Sequence, residues 1–222
     1  MTSIKICGIK DKENAMATAE AGANFIGLVF ANSPRQVTPT QALEIVSALK
    51  KSKTTAQVVG VFVNTPAPTA RKIADACHLD WVQLSGDEPW EYCLELAHPV
   101  IKVIRVSRNY PPEQAFADLD YGMKLLAGQK HIFMLDANTG EKYGGTGMTF
   151  NWELAKPIAE RFPVIIAGGL NPRNVGRAIK IIKPWGVDVS SGVETKGVKS
   201  MSKVNKFIEA VREADADKGK PQ

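Results

Sequence analysis

PVIIAGGLNPRNVGRAIKIIKPWGVDVSSGVE, residues 163–194, is the stretch that decides the fold. Residues 164–167 form a short apolar, β-branched run that stops at Gly168-Gly169, and residues 187–190 form a second one that stops at Ser191-Gly192. Between them, residues 172–182 carry apolar side chains at helical spacing. A strand, a helix and a second strand at this spacing read as a parallel βαβ unit. The same alternation runs back to the N-terminus, with strand-like runs at 4–7, 25–30, 58–64, 81–84, 101–106 and 132–136. Each is bounded by Gly, Pro, Asn, Asp or Ser, as strands buried on both faces should be. Helical patterns fill the intervals at 12–21, 42–49, 68–77, 87–97, 112–126 and 151–160, and a last one covers 201–214. Gly22 is a stop signal for the first, and Thr38-Pro39 offers the second an N-cap and a proline at its first turn.

Eight such units in 222 residues are about 28 residues each, where an open doubly wound sheet carries roughly five or six. The expected fold is therefore an α/β (β/α)8 TIM barrel, a single domain over residues 1–214 followed by a polar, frayed tail at 215–222. Hydrophobic residues at 44% and charged residues at 23% fit an ordinary globular chain and exclude a disordered or fibrous one. The net charge of +5 suits an anionic small molecule, and no long basic run argues for nucleic acid. No apolar run approaches the roughly 20 residues of a membrane span, and the N-terminus has no secretory pattern. Cys7, Cys77 and Cys93 match no zinc spacing, so a reducing cytoplasm is expected. With no apolar patch identifiable, a monomer is preferred to a homodimer.

In this fold chemistry is carried by side chains at the C-terminal ends of the strands and in the loops that follow. Cys7 ends the first strand and shares its face with Lys5, while Ile4 and Ile6 take the other face. It is either a small buried hydrophobe or, given positive potential nearby, a thiolate base or nucleophile. Asp136 closes the sixth strand and either caps the next loop or faces the barrel mouth, where with Cys7 it would form an acid–base pair. Gly168 and Gly169 after the seventh strand, and Ser190, Ser191 and Gly192 after the eighth, occupy the habitual phosphate position of the fold, where backbone N–H groups approach an anion. Asp188 shares the face of Ser190 and either binds a substrate hydroxyl or forms an ion pair. Arg35, in the loop after the second strand, is a surface arginine or a carboxylate ligand. The glycine-rich stretch 138–147 reads as a lid. His78, His98 and His131 lie away from strand C-terminal ends, so neither a His-ligated metal nor a His base is expected. Cys77 and Cys93 fall in helical stretches and read as packing residues.

The residues KICGI (5–9), GLVFANSPR (27–35), VGVFVN (59–64), VQLSGDE (82–88), LDA (135–137), GGTGMTFNW (144–152), AGGLNPRNV (167–175) and GVDVSSGVE (186–194) are collinear. Together they resemble the phosphoribosylanthranilate isomerase family over residues 3–213. The resemblance implies a cofactor-free and metal-free Amadori rearrangement of N-(5-phosphoribosyl)anthranilate to 1-(2-carboxyphenylamino)-1-deoxyribulose 5-phosphate in tryptophan biosynthesis. It makes Cys7 the general base, Asp136 the general acid with a raised pKa, and Arg35 the ligand of the anthranilate carboxylate. The two Gly/Ser loops would hold the phosphate. Two departures stand out: Ser85 replaces the family's usual His at the end of the fourth strand, and Asn151 replaces an Asp. A metal-dependent epimerase would need strand-end histidines. An indole-glycerol-phosphate synthase would bring a strand-end lysine pair and an N-terminal extension, whereas Lys5 and Lys102 lie within strands. A catalytically silent phosphate-binding barrel is the remaining alternative.

Overall fold

The computed structural model describes residues 1–52, 54–106, 112–137 and 152–217. The candidate lid and Asn151 lie outside the described residues. Strands β1(Ser3–Cys7), β2(Phe25–Val29), β3(Gln57–Phe62), β4(Trp81–Leu84), β5(Val100–Val106), β6(His131–Ala137), β7(Val164–Ile166) and β8(Gly186–Val189) pair in parallel in chain order and close into a barrel through β8 and β1. The expected closed barrel is what the chain forms. Around it lie α1(Lys12–Glu20), α2(Pro39–Lys51), α3(Ala67–Ala76), α4(Pro112–Leu125), α5(Trp152–Arg161), α6(Val175–Ile182) and α7(Met201–Asp217). A small antiparallel hairpin, β9(Glu194–Thr195) with β10(Val198–Lys199), follows β8.

Strand alternation sorts side chains into two cores. In β5, Ile101 and Val103 face the lumen, where they join Phe25, Val59, Trp81, Ile132, Met134 and Ile165. Val100, Ile104 and Val106 of the same strand pack outward in the layer shared with the helices. The lumen is a filled core, with Phe25 and Trp81 meeting edge to face at 6.0 Å. Only its upper end turns polar.

Local signals explain the helix starts. Thr38 caps α2 in a reciprocal capping box with Gln41, with Pro39 in the first turn. Gly22 follows α1 at φ +101°, a conformation suited to glycine. Three expectations need correction. The helix expected over 87–97 is only a short 3-10 segment, Trp90–Glu95. There the Glu88 carboxylate folds back to accept the N–H groups of Asn64 and Gly86 (2.7 and 2.9 Å), and Pro89 favours an extended approach. The helix expected from 172 begins at Val175, because Asn171 and Asn174 hold the preceding turn through Arg173 N–H (2.9 Å) and Asn171 N–H (2.8 Å). The last helix runs to Asp217, into the expected tail.

The reason for that extension is a clasp between the chain's ends. Asp215 accepts hydrogen bonds from Thr2 N–H (2.6 Å) and the Thr2 hydroxyl (2.7 Å), and α7 packs on β1 beside it. Asp215→Ala should cost about 1–3 kcal/mol, since a carboxylate accepting two hydrogen bonds is lost. For a domain of this size that lowers Tm by roughly 3–10 °C. A thermal melt within about 1 °C of the parent would refute the clasp.

Candidate active site

At the C-terminal ends of the strands the barrel opens into a cavity of about 520 Å³. Cys7, Asp136, Arg35, Asp188, Gly168, Gly169, Ser190, Ser191 and Gly192 all line it. The barrel thus brings every sequence-derived candidate to one space. None of the three histidines lines it: His98 sits 3.3 Å from Asp75, His131 lies 2.8 Å from the Gln129 carbonyl, and His78 turns the chain after α3 at φ +52°. Cys77 and Cys93 are buried in the outer core.

Cys7 is the last residue of β1, and beneath it on the same face is Lys5, which is 1% exposed. Across the β1–β8 seam Lys5 is the register partner of Asp188, and its ammonium lies 2.8 Å from Asp188 Oδ1. Asp188 therefore serves the ion-pair alternative while still bordering the cavity. On the other side, Cys7 is in register with Gly27 of β2, where a Cβ would come within 2.9 Å of Cys7 Sγ and 3.1 Å of Lys5 Nζ. Burial pushes the Cys7 thiol up, against the opposing pull of Lys5 and Lys199. The positive potential expected around the sulfur is present, but burial outweighs it in the open barrel. Burial also works against the Lys5 ammonium, but Asp188 and Cys7 facing it hold Lys5 above its ordinary value.

Arg35 reaches the rim with its stem across Gly8, which has φ +80° and where a Cβ would lie 2.5 Å from Arg35 Cδ. Two of its nitrogens are already engaged: Nε and Nη2 donate to Glu194 Oε1 and Oε2 at 2.7 and 2.8 Å. Lys199 donates to the same Glu194 Oε1 (2.6 Å) and to the Ser190 carbonyl (2.9 Å). Burial works to raise Glu194, but Arg35 and Lys199 outweigh it and hold this carboxyl below its ordinary value. Arg35 is thus a guanidinium fixed by a bidentate partner, with Nη1 as the nitrogen outside that pair.

The loop after β7 turns through Gly168 and Gly169 at φ +84° and +65°. Their two N–H groups make no backbone hydrogen bond among the described residues. Asn174 Nδ2 pins the Gly169 carbonyl at 3.0 Å. The loop after β8 interlocks with it, since a Cβ on Gly192 would come within 1.9 Å of the Leu170 carbonyl oxygen. The Ser190 hydroxyl donates to the Cys7 carbonyl at 3.1 Å, tying this loop to the end of β1.

The opposite wall comes from β4 to β6. Ser85 takes the Gln83 amide on its hydroxyl (3.0 Å) and Arg105 Nη2 on its carbonyl (2.7 Å). Ser85 therefore sits in the cavity wall, where it is a hydrogen-bonding group that does not titrate near neutrality. Arg105 is the register partner of Asp136, and both face the cavity. Lys102 points away from the lumen, donating to the Glu88 carbonyl (2.6 Å), so no strand-end lysine pair forms. The sequence reading gave no role to Lys5, Gly27, Glu194, Lys199, Gln83 or Arg105. The alternation of β1 marked Lys5, and Glu194 closes a quoted motif. Lys199 carries no local signal, because the Lys196-Gly197 turn (φ +51° and +78°) returns it to the rim.

The profile of the family described as N-(5'phosphoribosyl)anthranilate (PRA) isomerase matches residues 4–210. A Dehalococcoides mccartyi protein named N-(5'-phosphoribosyl)anthranilate isomerase is 46% identical over 218 residues, covering 98% of this chain and 99% of its own. The crystal structure of phosphoribosyl anthranilate isomerase from Thermotoga maritima superposes with a TM-score of 0.81 at 35% identity, covering 96% of this chain and 100% of that one. A structure of phosphoribosyl anthranilate isomerase in complex with reduced 1-(o-carboxyphenylamino)-1-deoxyribulose 5-phosphate gives a TM-score of 0.78 at 33% identity, covering 96% and 100%.

The depressed Glu194 carboxyl has a consequence for acid stability. A group whose value is lower folded than unfolded adds stability above its ordinary value of 4.5 and loses it as pH falls through the folded value. Replacing Glu194 by Gln should remove that part of the acid-side fall, so parent and variant melting temperatures converge as pH drops below the ordinary glutamate range. A difference that stayed constant from neutral pH to below that range would mean Glu194 is not held as a carboxylate by Arg35 and Lys199.

Proposed function

The chain belongs to the N-(5'-phosphoribosyl)anthranilate isomerase family, and from that membership we propose how its residues divide the reaction. It isomerises N-(5'-phosphoribosyl)anthranilate to 1-(2-carboxyphenylamino)-1-deoxyribulose 5-phosphate, a step of tryptophan biosynthesis. The observation that carries the division of labour is the placement of Cys7 and Asp136. They reach one cavity from β1 and β6, with the two Gly/Ser loops along the rim between them.

Asp136 donates its proton to the furanose ring oxygen, the C1–O bond breaks, and the anilino nitrogen lone pair completes a protonated Schiff base. That iminium acidifies the adjacent C2 proton, so a thiolate is a sufficient base. Cys7 takes the proton, and the C2 electrons form the C1=C2 bond of the enolamine. Its hydroxyl proton is then replaced by one on C1, giving the ketone. One turnover leaves Asp136 without a proton and Cys7 with one, and transfer through the cavity or solvent resets the pair. The substrate's phosphate sits on the Gly168 and Gly169 N–H groups and the Ser190–Gly192 turn, where converging backbone donors favour an anion. Its carboxylate meets Arg35, whose pairing with Glu194 fixes the guanidinium plane and leaves Nη1 to make the contact. Asp188 borders the ribose side of the cavity with the carboxylate oxygen not held by Lys5. No cofactor or metal enters this scheme.

The chain acts as a monomer in a reducing cytoplasm. All three cysteines are buried free thiols, and acid, base and phosphate loops belong to one chain. Among the described residues no helix is long and apolar enough to cross a membrane.

The test follows loss of the fluorescence of phosphoribosylanthranilate generated in situ. The parent should turn it over, while Cys7→Ser and Asp136→Asn should each lose at least about a thousandfold in kcat with unchanged melting behaviour. Either variant within tenfold of the parent would remove that residue from its role. Arg35→Ala should act mainly on KM, and a pure kcat effect would contradict the carboxylate contact.

A further inference from the structure

The charged group on the same strand face as the reacting sulfur is not one the reaction scheme consumes. We propose that Lys5 is a positioning residue of the base: its ammonium, anchored on the Asp188 carboxylate below the cavity, borders the Cys7 sulfur and counters the burial that favours the thiol, so that the anion that takes the C2 proton is within reach. This deepens the assignment of Cys7 as the proton acceptor and rests on it.

A lysine with 1% exposure inside a barrel core is costly unless its charge is met. One anion facing it is Asp188 Oδ1 at 2.8 Å. The Cys7 sulfur is the second group that acts on the ammonium, from the same side of the barrel. The β2 side shows why both atoms can be there. A methyl group on Gly27 would lie 2.9 Å from Sγ and 3.1 Å from Nζ, so sulfur and ammonium border one notch that only a glycine leaves open. The register enforces the arrangement from both sides: Lys5 pairs with Asp188 on β8, and Cys7 pairs with Gly27 on β2.

The charged groups acting on Cys7 come from four elements. Lys5 lies below it on β1, Asp188 comes from β8, Lys199 from β10, and Arg35 from the loop after β2. The facing β2 positions, Gly27 and Val29, add no charge. Lys199 and Arg35 are both paired with the Glu194 carboxylate, which offsets their field. Among the charges Lys5 is the leading one that favours the thiolate. Because Lys5 is itself held as an ammonium, it does not exchange protons with substrate; it acts through Cys7.

The experiment measures alkylation of Cys7 by iodoacetamide as a function of pH, resolved by peptide mass spectrometry from Cys77 and Cys93, beside the pH dependence of kcat/KM. Lys5→Met keeps the stem and removes the charge. Lys5→Met/Asp188→Asn also removes the carboxylate that the first variant leaves buried and unpaired, so one folded protein is available for the test. In Lys5→Met the midpoint for Cys7 alkylation should rise by about one pH unit or more, and in the double variant by less, because Asp188 itself pushes the thiol up; the ascending limb of kcat/KM should move with it. At pH 7 activity should fall at least tenfold, with partial recovery at alkaline pH that a merely structural defect would not give. An unchanged or lowered midpoint in the folded double variant would overturn the role of Lys5. Cys7→Ser separates the two claims: if it keeps parental activity, the base assignment itself fails, whatever the alkylation curve shows.

Discussion

The seam where β8 meets β1 is the contact on which the rest of the molecule depends. Without it the eight strands are an open sheet with no lumen, and there is no top for the polar residues to share. Its register sets Lys5 against Asp188 and closes the barrel with a buried ion pair at 2.8 Å. Desolvating two charges costs more than a surface pair would return, so this pair is poor evidence of stability. What it provides is placement. A one-residue slip of β8 would carry Asp188 to the outer face and leave Lys5 unpaired in the lumen. The same seam receives the Ser190 hydroxyl on the Cys7 carbonyl, and the Thr2–Asp215 clasp lies beside it.

Above that seam the barrel divides by height. Phe25, Trp81, Val59 and Ile101 fill the lower lumen, which excludes water and gives the upper layer a firm floor. Two residues further along β3, β4 and β5 are Val61, Gln83 and Val103, which line the cavity, and β2 joins it at Val29. A single periodicity therefore builds both the packing and the site. The low-dielectric floor sharpens the electrostatics of what sits on it, pushing the Cys7 thiol up and binding Lys5 tightly to its partners.

On the rim one carboxylate organises two cations. Glu194 takes two donors of Arg35 and one of Lys199, and Lys199 passes on to the Ser190 carbonyl. Arg35 and the loop after β8 are thereby linked through one network of charge-assisted bonds. The arrangement also restrains Arg35, since a bidentate carboxylate fixes the plane of its guanidinium.

Much of this was legible from the chain alone, and the limits are instructive. Alternation and punctuation located the strands within two residues of where they lie, because buried parallel strands in this barrel are short, β-branched and bounded by turn residues. The strand-end rule of the fold selects Cys7, Asp136 and the two Gly/Ser loops, and alternation within the eighth strand adds Asp188. The segment Trp90–Glu95 departs from the helix its periodicity predicts, because the Glu88 carboxylate serves two backbone N–H groups of the preceding turns. Arg35 was identified, but not that Glu194 holds it, 159 residues away in sequence. By itself the sequence determined the barrel and the residue types at its strand ends, since periodicity and turn chemistry are local properties. Only the tertiary structure decided which of those residues face one another. Barrel closure sets Lys5 against Asp188, the β1–β2 register sets Gly27 beside Cys7, and Arg35 meets Glu194 from the far end of the chain, and contacts of that kind depend on register and curvature that no short window of sequence contains.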